Sequence, residues 1–207
     1  MSSELHGGTV RSLRDWEPPS AGQRALRESY LGFLDARPDA VRRSCQPGHL
    51  TASALVLSPD GRHTCMVHHR IVGAWLQPGG HLEDDADLAT AALREAMEET
   101  GLQGLAVDPV PLHLDCHPIT CRGSGPTRHF DVRFLVTAPM DDPVTSDESH
   151  DVRWWPVDAL PDVFVEVREL VTLGIARLAD QLAPGAERLP HEPVPATGLP
   201  SGPRDDQ

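Results

Sequence analysis

The sequence predicts an α/β fold made of several short strands, one helix near the middle of the chain and another near its end. Two observations lead to this prediction. Short apolar or alternating segments are separated by turns that contain Pro or Gly, whereas longer segments repeat their apolar residues at helical spacing. The length of 207 residues and the hydrophobic content of 39 % suit one domain with a modest aliphatic core and terminal extensions.

The N-terminal part of the chain predicts an extension before the main domain. Residues 1–20 are polar and contain paired glycines and paired prolines, so we expect an irregular arm there. Residues 23–36 carry an apolar stripe that includes Tyr30 and Leu34, which predicts an amphipathic helix. This helix either covers one side of the domain or forms a homodimer contact. We therefore place an N-terminal arm and helix at 1–49.

The central part of the chain, residues 50–181, predicts the main domain. Its expected strands end at turn-forming residues and lie at 51–58, 63–69, 112–117, 129–136 and 152–156. A long helix at 162–179 closes the domain. The last segment, 182–207, is dense in Pro, Gly and charged residues and predicts a disordered tail.

The most informative segment of the domain begins at Gly80 and reads GHLEDDADLATAALREAMEETGL. We expect a turn at Gly79-Gly80, which leads into the segment. A helix follows, and its apolar residues recur at helical spacing. We expect this helix to be capped by Asp85 or Asp87 and to end at Gly101.

Three carboxylates are concentrated near the end of that helix. Glu95, Glu98 and Glu99 fall within an arc of about 100° on one side of it, although like charges at this spacing repel by about 0.2–0.5 kcal/mol per pair. Glu95 and Glu99 also border the face that carries Leu88 and Ala92, which we expect to be buried. A divalent cation is the simplest partner that makes this arrangement favourable, because hard cations such as Mg²⁺ take oxygen ligands.

This segment resembles the Nudix box, the signature of the Nudix (MutT-like) hydrolases. The family pattern is Gly, five residues, Glu, seven residues, and then Arg-Glu-apolar-any-Glu-Glu-any-Gly-apolar. Here Gly80 matches the first glycine, and REAMEETGL from Arg94 to Leu102 matches the second half. The resemblance implies a Nudix α/β/α sandwich with a mixed β-sheet for the main domain.

One position departs from the family pattern. Ala86 stands where the family has its first box glutamate, which usually pairs with the box arginine, here Arg94. Asp85 and Asp87 flank the gap, and either can supply the charge after a small shift. Arg94 can also pair with Glu98 at i,i+4. The departure bears on metal binding or loop ordering and leaves the three later carboxylates in place.

The resemblance also implies the chemistry of the site. Arg94 and the box glutamates would form the catalytic centre around Mg²⁺ or Mn²⁺, which lowers the pKa of an attacking water and neutralises phosphate charge. The implied metal ligands are Glu95, Glu98, Glu99 and a backbone carbonyl at Gly79 or Gly80. A carboxylate outside the box often serves the family as metal ligand or general base, and Glu148 is the candidate here.

Polar residues also alternate along two of the predicted strands. The two sets are His113, Asp115 and His117, and His129, Asp131 and Arg133. Since side chains at period two share a face, neighbouring strands would present either a wall that binds phosphate or ribose or an exposed polar face. Arg133 is suited to bidentate phosphate contact. His81, directly after the glycines, either contacts phosphate or caps its loop.

Net charge and cysteine spacing limit the classes of partner and the cell compartment that the sequence predicts. The formal net charge of −13 predicts no direct nucleic-acid binding and no attraction to anionic membranes. No apolar run reaches transmembrane length, and the N-terminal residues lack the apolar stretch of a leader, so we expect neither a membrane span nor a leader. The cysteines form no CxxC pair, and we interpret them as reduced thiols of a cytoplasmic protein; they are Cys45, Cys65, Cys116 and Cys121.

Together these features predict a metal-dependent hydrolase that cleaves the P–O–P bond of a nucleoside diphosphate-linked or related small molecule. One alternative is a catalytically impaired Nudix-like domain with a nucleotide-binding or regulatory role, and Ala86 is the feature that favours it. The other is an enzyme similar to isopentenyl diphosphate isomerase. That alternative needs a cysteine near Trp75–Gly80, and Cys65 is too far back in the sequence to supply it.

Overall fold

The computed structural model describes residues 2–121, 125–147 and 149–183. The helices in this part of the chain are α1 (Ser2–Asp15), α2 (Ala21–Ala36), α3 (Leu88–Thr100) and α4 (Val165–Leu182). The strands in the same part are β1 (His49–Leu57), β2 (His63–His69), β3 (Trp75–Leu76), β4 (Gly79–His81), β5 (Ala106–Val107), β6 (His113–Cys121), β7 (Gly125–Thr137) and β8 (Ser149–Pro156). The predicted order of strands and helices in the main domain is thereby confirmed.

The strands form one mixed sheet with β1 and β7 at its centre. The main path of the sheet runs β3-β2-β1-β7-β5, while β4 pairs with β1, β6 with β7 and β8 with β2. Strands β1 and β7 pair in parallel, and the other described pairs are antiparallel. Because β1 pairs with β4 at one end and with β2 at the other, the sheet splits along β1 and opens a cleft.

Helices cover both faces of this sheet, which makes the three-layer α/β/α arrangement that the resemblance implies. Alternate residues of β1 point to opposite faces. Ala52 and Ala54 belong to the core beneath α1, α2 and α3, whereas Leu55 and Leu57 belong to the core beneath α4. At the start of β1, the α4 side of the strand carries buried polar residues, which are His49, Thr51 and Ser53.

The expectation of an irregular arm at 1–20 is wrong, because residues 2–15 form helix α1. Its apolar residues recur at helical spacing, and Leu5 and Leu13 are 6 % and 0 % exposed where they pack into the core with Trp16. Paired glycines cost helix propensity of about 1 kcal/mol each, and the burial of this apolar face outweighs that cost.

Helix α2 covers the domain, which was the first of the two roles considered for it. Tyr30 and Leu34 are completely buried, and the Tyr30 hydroxyl reaches two strands of the sheet. The expected turn at Gly79-Gly80 is instead strand β4, which hydrogen-bonds along β1. The predicted tail falls largely on 184–207, outside the described residues.

Candidate active site

Helix α3 carries the acidic segment, and both of its ends are fixed by local contacts. The carboxylate of Asp87 caps the first turn by accepting a hydrogen bond from the backbone N–H of Thr90 at 2.8 Å. Gly101 ends the helix with a φ of 68°, in the left-handed region. Of the two aspartates considered as caps, Asp87 has this role, so the Asp85 side chain is available for a different contact.

The predicted metal ligands meet in one place. Glu95 and Glu99 on α3 are buried, at 9 % and 4 % exposed, while the Glu98 side chain is 56 % exposed. All three glutamates line a cleft of about 360 Å³ together with Gly80 and His81 of β4. The antiparallel pairing of β4 with β1 sets this arrangement, since it holds the two residues in front of the helix.

Arg94 lies at the base of this cleft and links its walls. Its Nη1 donates to Glu95 Oε1 at 3.0 Å and to Glu98 Oε2 at 3.1 Å, and its Nη2 donates to the carbonyl oxygen of His81 at 3.0 Å. Burial lowers the pKa of Arg94, but the hydrogen bond to Asp85 and the surrounding carboxylate charges outweigh burial and raise it. The guanidinium therefore stays charged and fixes two of the box glutamates.

Asp85 supplies the charge that Ala86 lacks. Its Oδ1 accepts from Arg94 Nε at 3.0 Å and its Oδ2 accepts from Arg94 Nη2 at 3.1 Å, a bidentate contact between two side chains that are 6 % and 9 % exposed. Asp85 Oδ2 also accepts from the backbone N–H of Glu83 at 3.0 Å. The ion pair thus orders the loop before α3, although the box glutamate is missing.

The backbone of β4 lies against the carboxylates because residue 80 is a glycine. A Cβ at Gly80 would lie 2.6 Å from Glu95 Oε1 and 2.8 Å from its Cδ, closer than real contacts permit. The main chain at Gly80 therefore lies directly against the Glu95 carboxylate, and Glu98 and Glu99 line the same cleft. Such an oxygen-rich set of donors fits a hard divalent cation of the Mg²⁺ or Mn²⁺ type.

The predicted general base, Glu148, lies outside the described residues. Ser146, two positions earlier in the sequence, lines the cleft beside the box glutamates. The role of Glu148 therefore stays a prediction.

The two predicted polar sets lie on neighbouring strands and form the wall that their spacing suggests. In the antiparallel pair of β6 and β7, the opposed residues are His113 and Arg133, Asp115 and Asp131, and His117 and His129. The opposite face of β7 carries Val132 and Phe134 in the apolar core. Period-two alternation thus separates a polar face from the core along both strands.

Asp131 and Arg133 form the buried centre of this wall, at 2 % and 4 % exposed. Arg133 Nε donates to Asp131 Oδ2 at 2.9 Å, and Arg133 Nη2 lies 3.0 Å from Asp115 Oδ2. The hydroxyls of Thr51 and Ser53 on β1 donate to Asp131 at 3.0 Å and 2.8 Å. Arg133 was predicted as a bidentate phosphate ligand, but two of its nitrogens are engaged by carboxylates. Nη1 is a buried nitrogen without a hydrogen-bond partner among the described residues.

His113 begins β6, whereas His117 lies in the middle of the strand, and the two rings have different surroundings. His113 is 3 % exposed, and Gln23 Nε2 of α2 lies 2.9 Å from its Nε2, so its ring is enclosed rather than presented to the cleft. Burial lowers the pKa of His113. His117 Nδ1 lies 2.7 Å from Asp115 Oδ2, a hydrogen bond that raises the pKa of His117.

A histidine that sequence reasoning missed completes a cluster with His81 and His129. His49 begins β1, and its ring centroid lies 5.1 Å from that of His81 and 5.0 Å from that of His129. Burial lowers the pKa of all three rings, to about 4 for His81 and about 3 for His129. The only sequence signal for His49 is its alternation with Thr51 and Ser53, because strand pairing brings the three rings together.

The comparison with protein families agrees with this geometry. The family model described as the NUDIX domain matches residues 47–173, which is more than half of the 207 residues. The chain belongs to the NUDIX family. The resemblance drawn from the box is thereby confirmed, and with it the Nudix fold and the expected enzyme class, a Nudix-type hydrolase.

Several solved structures resemble this chain at low sequence identity. A NUDIX-family hydrolase from Clostridium perfringens is 20 % identical, covers 63 % of this chain and 97 % of its own, and has a TM-score of 0.49. An Ap4A hydrolase from C. elegans is 19 % identical with the same two coverages and a TM-score of 0.48. The dihydroneopterin triphosphate pyrophosphohydrolase of E. coli is 16 % identical, covers 62 % of this chain and 95 % of its own, and has a TM-score of 0.48.

No curated protein matches the NUDIX chain. Within the described ranges, none of the helices combines the length and the apolar character that crossing a membrane requires.

Proposed function

We propose that this NUDIX chain is a Mg²⁺- or Mn²⁺-dependent hydrolase that cleaves the P–O–P bond of a nucleoside diphosphate-linked or related compound. The observation that carries the proposal is the gathering of Glu95, Glu98 and Glu99 around Gly80 in one cleft. Three carboxylates repel an anionic diphosphate unless a cation lies between them. The same carboxylates supply the oxygen ligands that such a cation prefers.

The box glutamates would hold the cation, with the main chain at Gly80 beside them. A bound Mg²⁺ or Mn²⁺ supplies neutralisation of phosphate charge and a lower pKa for the attacking water. Arg94 positions Glu95 and Glu98 through its Nη1 and is itself held by Asp85. Because its carboxylate partners raise the pKa of Arg94 further, the guanidinium keeps its charge in this positioning role.

A glutamate would remove the proton of the attacking water, and the candidates are Glu98, Glu99 and Glu148. Glu98 is the most exposed of the box glutamates, which leaves its carboxylate accessible to water. The water oxygen forms a bond to phosphorus, and the bridging P–O bond breaks. The leaving phosphate keeps the electron pair of that bond.

Substrate contacts would come from the polar wall, which His81 of the cleft joins through its ring contact with His129 at 5.1 Å. The raised pKa of His117 favours an imidazolium, which suits a phosphate or ribose contact, and its side chain is 40 % exposed. Arg133 would contribute its Nη1, since its other contacts go to Asp131 and Asp115. The enclosed ring of His113 supports this wall from inside, in contact with Gln23.

A panel assay tests the proposed function. Purified protein is incubated with Mg²⁺ or Mn²⁺ and nucleoside triphosphates, ADP-ribose, dinucleotides, nucleotide sugars or prenyl diphosphates, and products are resolved by mass. We expect cleavage of at least one compound, dependent on added metal, and a loss of about 10²-fold or more in Glu98→Gln. Glu166→Gln, an exposed acid at the start of α4, is the matched control and should keep full activity.

Two results would contradict the proposal. One is no metal-dependent cleavage of any compound, with tight binding of one of them, which would favour a binding domain. The other is full activity in Glu98→Gln. Glu148→Gln then separates the candidate bases, because a loss confined to that variant assigns the proton transfer to Glu148.

The contacts of Asp85 weaken the binding-domain alternative, because they give Arg94 a carboxylate partner in place of residue 86. The isomerase alternative needs a reactive cysteine near the cleft. Cys65 lies in the apolar core of β2, completely buried, and burial raises the pKa of its thiol to about 12.

A further inference from the structure

We propose that His49, His81 and His129 form a second metal site, one that takes a borderline-soft divalent ion such as Zn²⁺ through three imidazole nitrogens. This site is distinct in chemistry from the carboxylate cleft, although His81 directly follows Gly80 in β4. The proposal concerns ion binding alone and does not depend on which compound the enzyme hydrolyses.

The sheet brings the three imidazoles together. They come from three neighbouring strands, β1, β4 and β7. His49 is opposite His129 in the parallel pair of β1 and β7. Thr51, which shares a face of β1 with His49, is opposite His81 in the antiparallel pair of β1 and β4. One ring nitrogen from each histidine lies within 4.8 Å of the others. In a tetrahedral zinc site with Zn–N bonds of about 2.0–2.1 Å, ligand nitrogens are about 3.4 Å apart. Side-chain movements of about 1 Å therefore suffice to reach bonding geometry.

His49 provides an independent indication of a ligand. The residue is 0 % exposed, and neither Nδ1 nor Nε2 has a hydrogen-bond partner among the described residues. A hydrogen bond between the ring and the backbone of Cys45, which lies outside ordinary hydrogen-bond geometry, involves at most one of the two nitrogens. Buried polar atoms in folded proteins are nearly always paired. A metal ion bound between the rings would satisfy one of these nitrogens.

The donor type selects the class of ion. Imidazole nitrogen suits Zn²⁺ and neighbouring transition metals, whereas Mg²⁺ takes oxygen ligands. The charges around the cluster are of both signs: Arg43 acts on His49 and His81, while Asp131 acts on His129. The chain thus offers two adjacent sites with different preferences, oxygen donors on α3 and nitrogen donors across the sheet.

Three protein ligands leave at least one coordination position of such an ion for another group. His81 and His129 are partly exposed, and His81 lines the cleft. The ring of His117 lies 5.4 Å from that of His129 and is the next imidazole along the wall. The remaining position would therefore be taken by water or by an anionic oxygen that enters the cleft.

Metal titration of the full chain tests this site. Tag-free protein freed of metal by chelation is titrated with Zn²⁺ by calorimetry in excess Mg²⁺, and with Co²⁺ by visible absorption. We expect one Zn²⁺ per chain and the visible bands of Co²⁺ in a site of low coordination number. His49→Asn and His129→Asn should each weaken binding by at least about 10- to 100-fold, the range produced by loss of outer-shell partners alone.

Two matched variants serve as controls. His150→Asn removes an exposed histidine whose ring is near His68, and Glu98→Gln removes a carboxylate of the cleft. Both should bind Zn²⁺ as the unchanged protein does. Because His49 is buried, circular dichroism checks each variant, and His129→Asn at the partly exposed position provides the test if His49→Asn does not fold.

Unchanged Zn²⁺ affinity in folded His129→Asn would overturn the proposal. Loss of Zn²⁺ binding in Glu98→Gln but not in the histidine variants would also overturn it, because the ion would then belong to the carboxylates. Mg²⁺-dependent hydrolysis is measured separately. If the protein hydrolyses none of the compounds, the Zn²⁺ titrations still test this site.

Discussion

The guanidinium of Arg94 and the carboxylate of Asp85 meet edge to edge, Nε against Oδ1 and Nη2 against Oδ2, with both side chains almost fully buried. In the family pattern the partner of this arginine is a glutamate one position later, where this chain has Ala86. A shorter acid one residue earlier reaches the same guanidinium. The chain has therefore moved the charge by one position and kept the ion pair.

Asp85→Asn should destabilise the protein by about 1.5–3 kcal/mol, because hydrogen bonds to charged groups contribute in this range. Urea unfolding measures the change. Hydrolytic activity should also fall, since Arg94 positions Glu95 and Glu98. Asp84→Asn, at an exposed position in the same loop, is the control and should change neither quantity. Equal stability of the two variants would show that Arg94 does not need this partner.

Ala86→Glu tests whether the family position remains usable. Alone, it should leave activity unchanged or raise it, because Ala86 is exposed and Asp85 already pairs with Arg94. Combined with Asp85→Ala, it should recover a large part of the lost stability by restoring a carboxylate near Arg94. A strong loss of activity in the single variant would mean that the loop serves a different purpose here.

Gly80→Ala should lower hydrolytic activity by about 100-fold, the cost of a misplacement of about 1 Å in a catalytic group. The added Cβ would lie 2.6 Å from Glu95 Oε1, so either the carboxylate or β4 must move. The dependence of rate on Mg²⁺ concentration should shift to higher values. Gly32→Ala in α2, where nothing lies within 4 Å of the added Cβ, is the control and should keep full activity.

The histidine cluster should make stability depend on pH in the metal-free protein. The folded-state pKa is about 4 for His81 and about 3 for His129, compared with 6.5 for an ordinary histidine. The unfolded state then binds more protons below pH 6.5, so this stabilisation is complete above about 6.5 and is lost as the pH falls through 4 toward 3. Urea unfolding at several pH values measures it, and His129→Asn should show a smaller fall over this window.

Nuclear magnetic resonance of the imidazole rings measures the folded-state pKa of each histidine directly. His81 and His129 should stay neutral well below pH 6, whereas His117 should titrate above 6.5 because of Asp115. Titration of His129 near 6.5 would contradict the burial of the cluster.

Tyr30→Phe should destabilise the protein by about 1–3 kcal/mol and leave the dependence of rate on metal unchanged. The Tyr30 hydroxyl lies 2.5 Å from the carbonyl oxygen of Asp115 and 3.0 Å from that of Asp131, inside the core. Loss of this donor leaves buried carbonyl oxygens with less hydrogen bonding. Ser29→Ala, next to it on the exposed side of α2, is the control. Equal unfolding midpoints would show that packing alone attaches α2 to the sheet.

The site formed by the Nudix box could be predicted from the sequence, because the residues of the box interact within one helix and its flanking loop. Helical spacing alone places Glu95, Glu98 and Glu99 on one side of α3, and both helix ends follow from local capping rules. The polar sets on β6 and β7 were readable for the same reason, since period-two alternation assigns faces without knowledge of the partner strand.

Features that depend on pairing between distant segments were not readable. His49 joins His81 and His129 only because β1 lies between β4 and β7. The burial of Arg133 among carboxylates likewise depends on the register of β6 and β7. Helix α1 was missed because its paired glycines oppose helix formation locally, and its stability comes from packing on the rest of the molecule.

The packing of α1 and α2 also determines which fragments of the protein can be expected to fold. The segment shared with the family begins at residue 47, yet Trp16, Tyr30 and Leu34 before it lie in the main core. Beyond its other end, Arg177 donates to Asp108 at 2.9 Å. The core that these residues share is thus larger than the segment that matches the family. A fragment trimmed to 47–173 would expose this apolar surface, and we expect it to aggregate.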